Sequence, residues 1–197
     1  ITKETRVPFS AHAAAQPPTK LGVRAGSSIT VESGIYALVT KSANDAAAAL
    51  GEMLGGSETG FARLMTAKAR QLGMRDTTFR NASGLPNNEQ KTTARDMAIL
   101  GMALREHYPQ YYSYFSTRSF TFGKTRMGNH NKLLGRVKGV DGIKTGYIRA
   151  SGFNLVSSVK TDGKSLVAVV MGEKTARERD ALMAQLVERF LPEASRR

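Results

Sequence analysis

Apolar side chains recur every three to four residues through the first hundred positions, which predicts helices, and beyond residue 117 they begin to alternate, which predicts strands. Residues 9–28 interrupt the first regime. They are rich in Ala, Pro, Gly and Ser, with Pro17, Pro18, Gly22 and Gly26, and read as loop and short turns. Thr30 is then placed to cap a helix with Ile35, Leu38 and Val39 on one face, ending near Lys41. Asn44 is expected to cap the next helix, Asp45 to Leu54, which Gly55-Gly56 closes. Ser57 caps a third, with Phe61, Leu64, Met65 and Leu72 as its stripe and Gly73 as its stop. A polar loop from Asn81 to Gln90 precedes Thr93-x-x-Asp96, a capping-box signature. That box opens a fourth helix with Met97, Leu100, Gly101 and Leu104, and Pro109 limits its length. The aromatic run Tyr108, Tyr111, Tyr112, Tyr114 and Phe115 is expected to pack under the sheet lobe.

After residue 117, Phe120 and Phe122 alternate as in a short strand, and Arg126 pairs back across Gly123-Lys124. Three longer runs follow, Val140 to Tyr147, Phe153 to Val159 and Leu166 to Met171. Thr161-Asp162-Gly163 joins the last two as a tight hairpin. Residues 175–191 form a closing amphipathic helix on Ala181, Leu182, Leu186 and Phe190, and a basic tail covers 192–197. The expected class is α+β, a helical lobe over about 1–137 and an antiparallel sheet with a packed closing helix over about 138–191.

Composition adds three constraints. With 197 residues and 41% hydrophobic content the chain has enough apolar surface for one domain. It has no cysteine, which removes disulfides, thiolate chemistry and Cys-based metal sites, and it has no apolar run long enough to span a bilayer. The net charge is +13, and residues 61–137 carry thirteen cations against four anions. These cations are scattered singly (Arg63, Lys68, Arg70, Arg75, Arg80) and no nucleic-acid-binding signature accompanies them. They read as the cationic face of an enzyme working beside an anionic wall or membrane, with polyanion binding as an alternative.

Candidate chemistry sits at two places. Ser42-Ala43-Asn44 lies between two helices, where a tight bend aims a hydroxyl and a carboxamide the same way. Acyl transfer needs such a pair, one group to shuttle a proton and one to hold an amide, although Ser-x-Asn is also ordinary capping chemistry. Lys144-Thr145-Gly146 lies near a strand end and offers an ammonium, a hydroxyl for a carboxylate, and close backbone approach. A peptide lying along that strand would extend the sheet. His12, His107 and His130 form no Ser-His arrangement, and no His/Glu cluster has metal spacing.

The surrounding text is more specific than either tripeptide. Gly139-Val-Asp-Gly-Ile-Lys-Thr-Gly-Tyr147, running on into Gly152-Phe-Asn-Leu-Val156, resembles the D-alanyl-D-alanine carboxypeptidases, the low-molecular-weight penicillin-binding proteins. Ser42-Ala-Asn-Asp-Ala-Ala47, Leu72-Gly-Met-Arg-Asp-Thr-Thr-Phe79, Thr92-Thr-Ala-Arg-Asp-Met-Ala98 and Asn129-His-Asn-Lys-Leu-Leu134 agree with it, in order and spacing, up to about Leu191. The resemblance implies a β-lactamase/transpeptidase-like fold. It also implies hydrolysis of the terminal D-Ala of peptidoglycan stem pentapeptides through a serine acyl-enzyme, without metal or cofactor, and acylation by β-lactams. It assigns Ser42 to the proton relay, Asn44 to the substrate amide, Lys144 to electrostatic support and Thr145 to the terminal carboxylate. Gly146 gives backbone access, and the Tyr147 N–H is one of two oxyanion donors. His130 stands where some relatives carry Arg, and Arg179 aligns with a basic residue near the carboxylate site. A periplasmic or extracytoplasmic location, with membrane association in the full-length protein, follows from the same likeness.

The family's Ser-x-x-Lys nucleophile motif is expected before Ile1, and the opening residues read as the middle of a protein. Ser157-Ser158-Val159-Lys160 has the spacing, but on a predicted strand residues three apart point to opposite faces. An N-terminal piece of the same protein is therefore the expected partner, and the chain alone is expected to be inactive or unstable. The family's sheet takes its first two strands from that piece, which leaves the Leu166–Met171 strand as an open edge. A non-catalytic peptidoglycan-binding module and a β-lactamase remain as alternatives.

Overall fold

The computed structural model describes residues 1–196, so Arg197, the last residue of the expected basic tail, lies outside the described residues. The chain forms two compact units. The first comprises Ile1–Gln71, Thr77–Lys91 and Thr117–Asn129, and the second Leu72–Asp76, Thr92–Ser116 and the chain from His130 onward.

In the first unit, strand β1 (Arg6–Pro8) pairs antiparallel with β2 (Ser28–Thr30), and the short helix α1 (Ala11–Ala14) lies between them in sequence. The segment read as loop is thus tied at both ends by a ladder about twenty residues apart, a pairing that no local pattern announces. Thr30 caps α2 (Val31–Lys41) by accepting from the Ser33 N–H. Helix α3 (Asn44–Gly55) ends on Gly56 at φ 74°, a left-handed stop. The core here is small-residue packing: Ala37, Ala43, Ala46, Ala48 and Ala49 close around Val7, Phe9 and Ile29.

Helix α4 (Glu58–Gln71) corrects one expectation, because Leu64 is 54% exposed while Ala62 and Ala69 are buried. The corner between α3 and α4 is tight, since a Cβ on Gly55 would fall 2.3 Å from the Phe61 N and one on Gly51 3.2 Å from the Phe61 ring. The hairpin of β3 (Ser119–Phe122) and β4 (Thr125–Gly128) also belongs to this unit, with Thr121 opposite Arg126.

The second unit is built on an antiparallel sheet in the order β5 (Val140–Ile148), β6 (Gly152–Thr161), β7 (Lys164–Glu173). Asp162 and Gly163 take positive φ values of 51° and 75° at the β6–β7 turn, the conformation a two-residue Asp-Gly hairpin requires. The central strand β6 is buried on both faces, and its side chains sort by parity. Leu155 and Val159 meet Met183 and Val187 of α6 (Ala176–Phe190), whereas Val156 packs with Ile143, Tyr112, Met97 and Leu104. The last two belong to α5 (Ala94–His107), opened by Thr93, which accepts from the Asp96 N–H. Helix α5 and the 3-10 turn Pro109–Ser116 thus pack with the sheet, although both precede residue 138.

Helix α6 is rotated from its expected register. Arg179, Met183 and Val187 are buried, while Ala181, Leu182 and Phe190 are exposed. The inward stripe includes a charged residue, Arg179, so the apolar pattern alone does not give the phase. Strand β7 is the sheet's other edge, and beyond α6 the chain returns to it: Arg196 bridges Lys164, whose Nζ donates to the Pro192 carbonyl.

Candidate active site

In the first unit, α2 and α3 meet at Ser42-Ala43-Asn44. Ser42 adopts left-handed backbone angles (φ 56°, ψ 45°) as α2 ends, and its N–H reaches the Leu38 carbonyl at 3.2 Å. Ala43 is fully buried and pins the bend. Asn44 does not cap α3 as expected. The N-cap is Ala43, without a side-chain bond, and Asn44 is already the first helical residue. Its side chain is drawn elsewhere, with Nδ2 donating to the Pro17 carbonyl at 3.0 Å and its N–H to the Thr19 carbonyl at 2.7 Å. The bend therefore brings Ser42 and Asn44 together on a frame supplied by residues 17–23.

In the second unit, the other candidates gather on β5, the sheet edge with β6 on one side only. Lys144 stands opposite Val156 and Thr145 opposite Leu155. Lys144 Nζ donates to the Thr145 carbonyl at 2.9 Å. Loss of hydration, and after it the nearby Arg179 cation, lower its pKa from 10.5 to about 8. Arg179 is itself buried on α6, with Nε and Nη2 on Asp180 Oδ1 at 3.0 and 2.9 Å. Thr145 is buried, Gly146 is exposed, and nothing nearer than the Asn154 Cβ at 4.0 Å crowds it. Tyr147 is exposed and lies against Phe153, ring centroids 4.3 Å apart. His130 is exposed beside Asn131, whose Nδ2 donates to the Gly142 carbonyl of β5 at 3.2 Å.

Behind β5 lies a buried polar cluster. Asp141 Oδ1 accepts from Arg105 Nη2 at 2.5 Å and from Ser158 Oγ at 2.7 Å, and Ser158 Oγ accepts from the Tyr112 hydroxyl at 2.7 Å. The Arg105 guanidinium lies 4.6 Å from the centre of the Tyr112 ring. Ser157 Oγ donates to the Gly142 carbonyl at 3.1 Å. Burial raises the Tyr112 hydroxyl above its usual pKa of 10.0, so it stays a donor at neutral pH. Ser157 and Ser158 are thus structural residues of a strand, and Lys160 is exposed, which leaves Ser157-x-x-Lys160 without nucleophile–base geometry.

Sequence reasoning missed Thr19, Asp45, Arg105, Tyr112, Asp141 and Ser158 as supports of the two candidate groups. Their partners lie twenty or more residues away, beyond any local pattern. Among the described residues, no group of three or more His, Asp or Glu is placed to hold a metal ion, and no helix is long and apolar enough to cross a membrane.

Comparison with known proteins converges on one family. The family described as D-alanyl-D-alanine carboxypeptidase (peptidase S11) matches residues 1–175. D-alanyl-D-alanine carboxypeptidase DacC of Escherichia coli K12 is 39% identical over 158 residues, 80% of this chain and 40% of that protein. Penicillin binding protein 5 from Haemophilus influenzae superposes with a TM-score of 0.90 at 31% identity, over 95% of this chain and 56% of that one. Penicillin-Binding Protein D2 from Listeria monocytogenes, solved in an ampicillin-bound form, gives 0.79 at 28% identity, over 95% and 76%. The chain spans about two-fifths of the length of the curated relatives it matches.

Proposed function

This chain belongs to the D-alanyl-D-alanine carboxypeptidase family, and we propose that it is the part of such an enzyme that grips the substrate and relays the proton, while the attacking serine and its lysine come from residues outside this sequence. The observation that carries the reading is the charge at the β5 edge. Arg179 lies close enough to Lys144 for its charge to help lower the lysine's pKa, with Asp180 as the acid bonded to Arg179. Two partly desolvated cations beside an edge strand favour an anionic, extended ligand. A peptide ending in a free carboxylate is such a ligand.

The roles follow from that chemistry. The substrate lies antiparallel along β5, its terminal carboxylate taken by the Thr145 hydroxyl with Arg179 and His130 nearby. Asn44 holds the substrate amide. Serine attacks the penultimate D-Ala carbonyl, its proton passes through Ser42 to the departing amine, and free D-Ala leaves. Water then hydrolyses the ester. The Tyr147 N–H steadies the oxyanion, a contribution of about 3 kcal/mol in comparable sites, and the Lys144 ammonium stabilises the relay. β-Lactams acylate the same serine. The ampicillin-bound relative supports this by likeness. The substrate places the whole protein outside the cytoplasmic membrane, associated with it or free.

The test is D-Ala release from a pentapeptide ending in D-Ala-D-Ala, using the full-length protein. Release that stops after stoichiometric penicillin treatment, and that falls on the order of a hundredfold in Lys144→Ala, is the expected result. No release by a folded, full-length protein would overturn the reading.

A further inference from the structure

We propose that Thr19 and Asp45 are positioning residues, and that the strap Pro17–Val23 is the template that holds Ser42 and Asn44 in working geometry. The proposal rests on the roles given above to those two residues. Its starting point is a contrast among helix ends. Helices α3 and α4 end on glycines in the left-handed region, Gly56 at φ 74° and Gly73 at φ 86°. Helix α2 ends in the same region on Ser42, at φ 56°. A side chain there costs about 1 kcal/mol that glycine would not, so the hydroxyl is kept where the fold alone would favour its loss.

The strap holds that conformation from outside the helix. The Thr19 hydroxyl is shared between the last carbonyls of the bend, Lys41 O at 2.8 Å and Ser42 O at 3.0 Å. This donor from outside the helix fixes the direction of both carbonyls and with it the Ser42 backbone. The Thr19 carbonyl then accepts from the Asn44 N–H. Pro17 O is an acceptor only, so it takes the amide side of the Asn44 carboxamide and turns Oδ1 the other way. One strap thereby aims both functional side chains.

Asp45 locks the strap's far end. Its carboxylate is fully buried and receives four backbone N–H groups. Oδ1 accepts from Leu21 and Ala46 at 2.9 Å, and Oδ2 from Gly22 at 2.9 Å and Val23 at 3.4 Å. Consecutive N–H groups around a left-handed glycine (Gly22, φ 81°) form an anion-holding nest. Here the anion is the chain's own, one residue past Asn44.

The experiment is saturation kinetics of fluorescent-penicillin acylation in the full-length protein, which separates the acylation rate constant from reversible binding. Thr19→Val keeps the shape and removes the donor. It is expected to lower the acylation rate constant about tenfold to a hundredfold with binding changed less than about twofold, and Thr19→Ser is expected to recover it to within about threefold. Asp45→Asn turns an amide against the nest and is expected to lower the same constant, with a lower Tm. Should it fail to fold, the Thr19 pair decides. Wild-type acylation by Thr19→Val, or equal impairment in Thr19→Val and Thr19→Ser, overturns the proposal and leaves the enzyme reading standing. An unlabelled wild type overturns both.

Discussion

Burial strips water from the Lys144 ammonium and Arg179 adds like charge, so its pKa falls from 10.5 to about 8. The ammonium is therefore lost as pH rises through about 8, and if it supports the relay as proposed, acylation by the free enzyme is expected to decline on that limb. Arg179→Gln removes the second cause and is expected to move the limb to higher pH, read from the pH profile of the second-order acylation rate constant. A limb unmoved by that change would mean another group sets it. Stability runs the other way. Between about pH 8 and 10.5 the unfolded chain keeps a proton that the folded chain has released, so this lysine's contribution to stability rises with pH across that window. At this scale the sequence offered candidates but not the residues that hold them. The candidates Ser42, Asn44, Lys144 and Thr145 could be picked out because residue type and order carry them, and the structure sets the first two at a helix junction and the last two on a sheet edge. Thr19, Asp45 and the pairing of Arg179 with Asp180 were not legible, because a half-buried threonine or a buried carboxylate looks like any surface one until the chain folds over it.

Among the elements, β5 is the one whose position the chemistry depends on, and its supports are unusually polar. Removing Asp141 as Asp141→Ala leaves the Arg105 guanidinium with its Nε unbonded and its carboxylate gone, which is expected to cost about 2–3 kcal/mol in denaturant unfolding. Tyr112→Phe deletes one bond of the same cluster and is expected to cost about 1 kcal/mol. Gly101 gives a test of opposite intuition. In a free helix Gly→Ala is stabilising by up to about 1 kcal/mol. On α5 the new Cβ would meet Val167 at 2.9 Å and Ile143 at 3.0 Å, so Gly101→Ala is expected to lower the Tm. A raised Tm would show that α5 can move off the sheet. Helix starts at Thr30 and Thr93 and the Asp162-Gly163 hairpin were readable because capping and turn chemistry are local. The face of α6 was not. A buried Arg179 and an exposed Leu182 are decided by what the sheet offers, not by the helix's own pattern.

Across the whole chain, the net charge of +13 draws polyanions without selecting among them. Nucleic-acid binding is expected to be independent of sequence and to fall steeply with salt in an anisotropy titration. A salt-insensitive or sequence-selective component would point to a different partner class. The larger question is where the attack comes from. This chain spans about two-fifths of its curated relatives, and the proposed roles divide between the α2–α3 bend, which carries Ser42 and Asn44, and strand β5, which carries Lys144, Thr145 and Tyr147. Its single Ser-x-x-Lys spacing, at Ser157, lies buried in a sheet. Peptide mapping by mass spectrometry of the full-length protein after penicillin treatment tests this most directly. One β-lactam adduct, on a serine outside residues 1–197, is the outcome that fits. An adduct on Ser42, Ser157 or any other serine of this chain, or no adduct on folded protein, would contradict it.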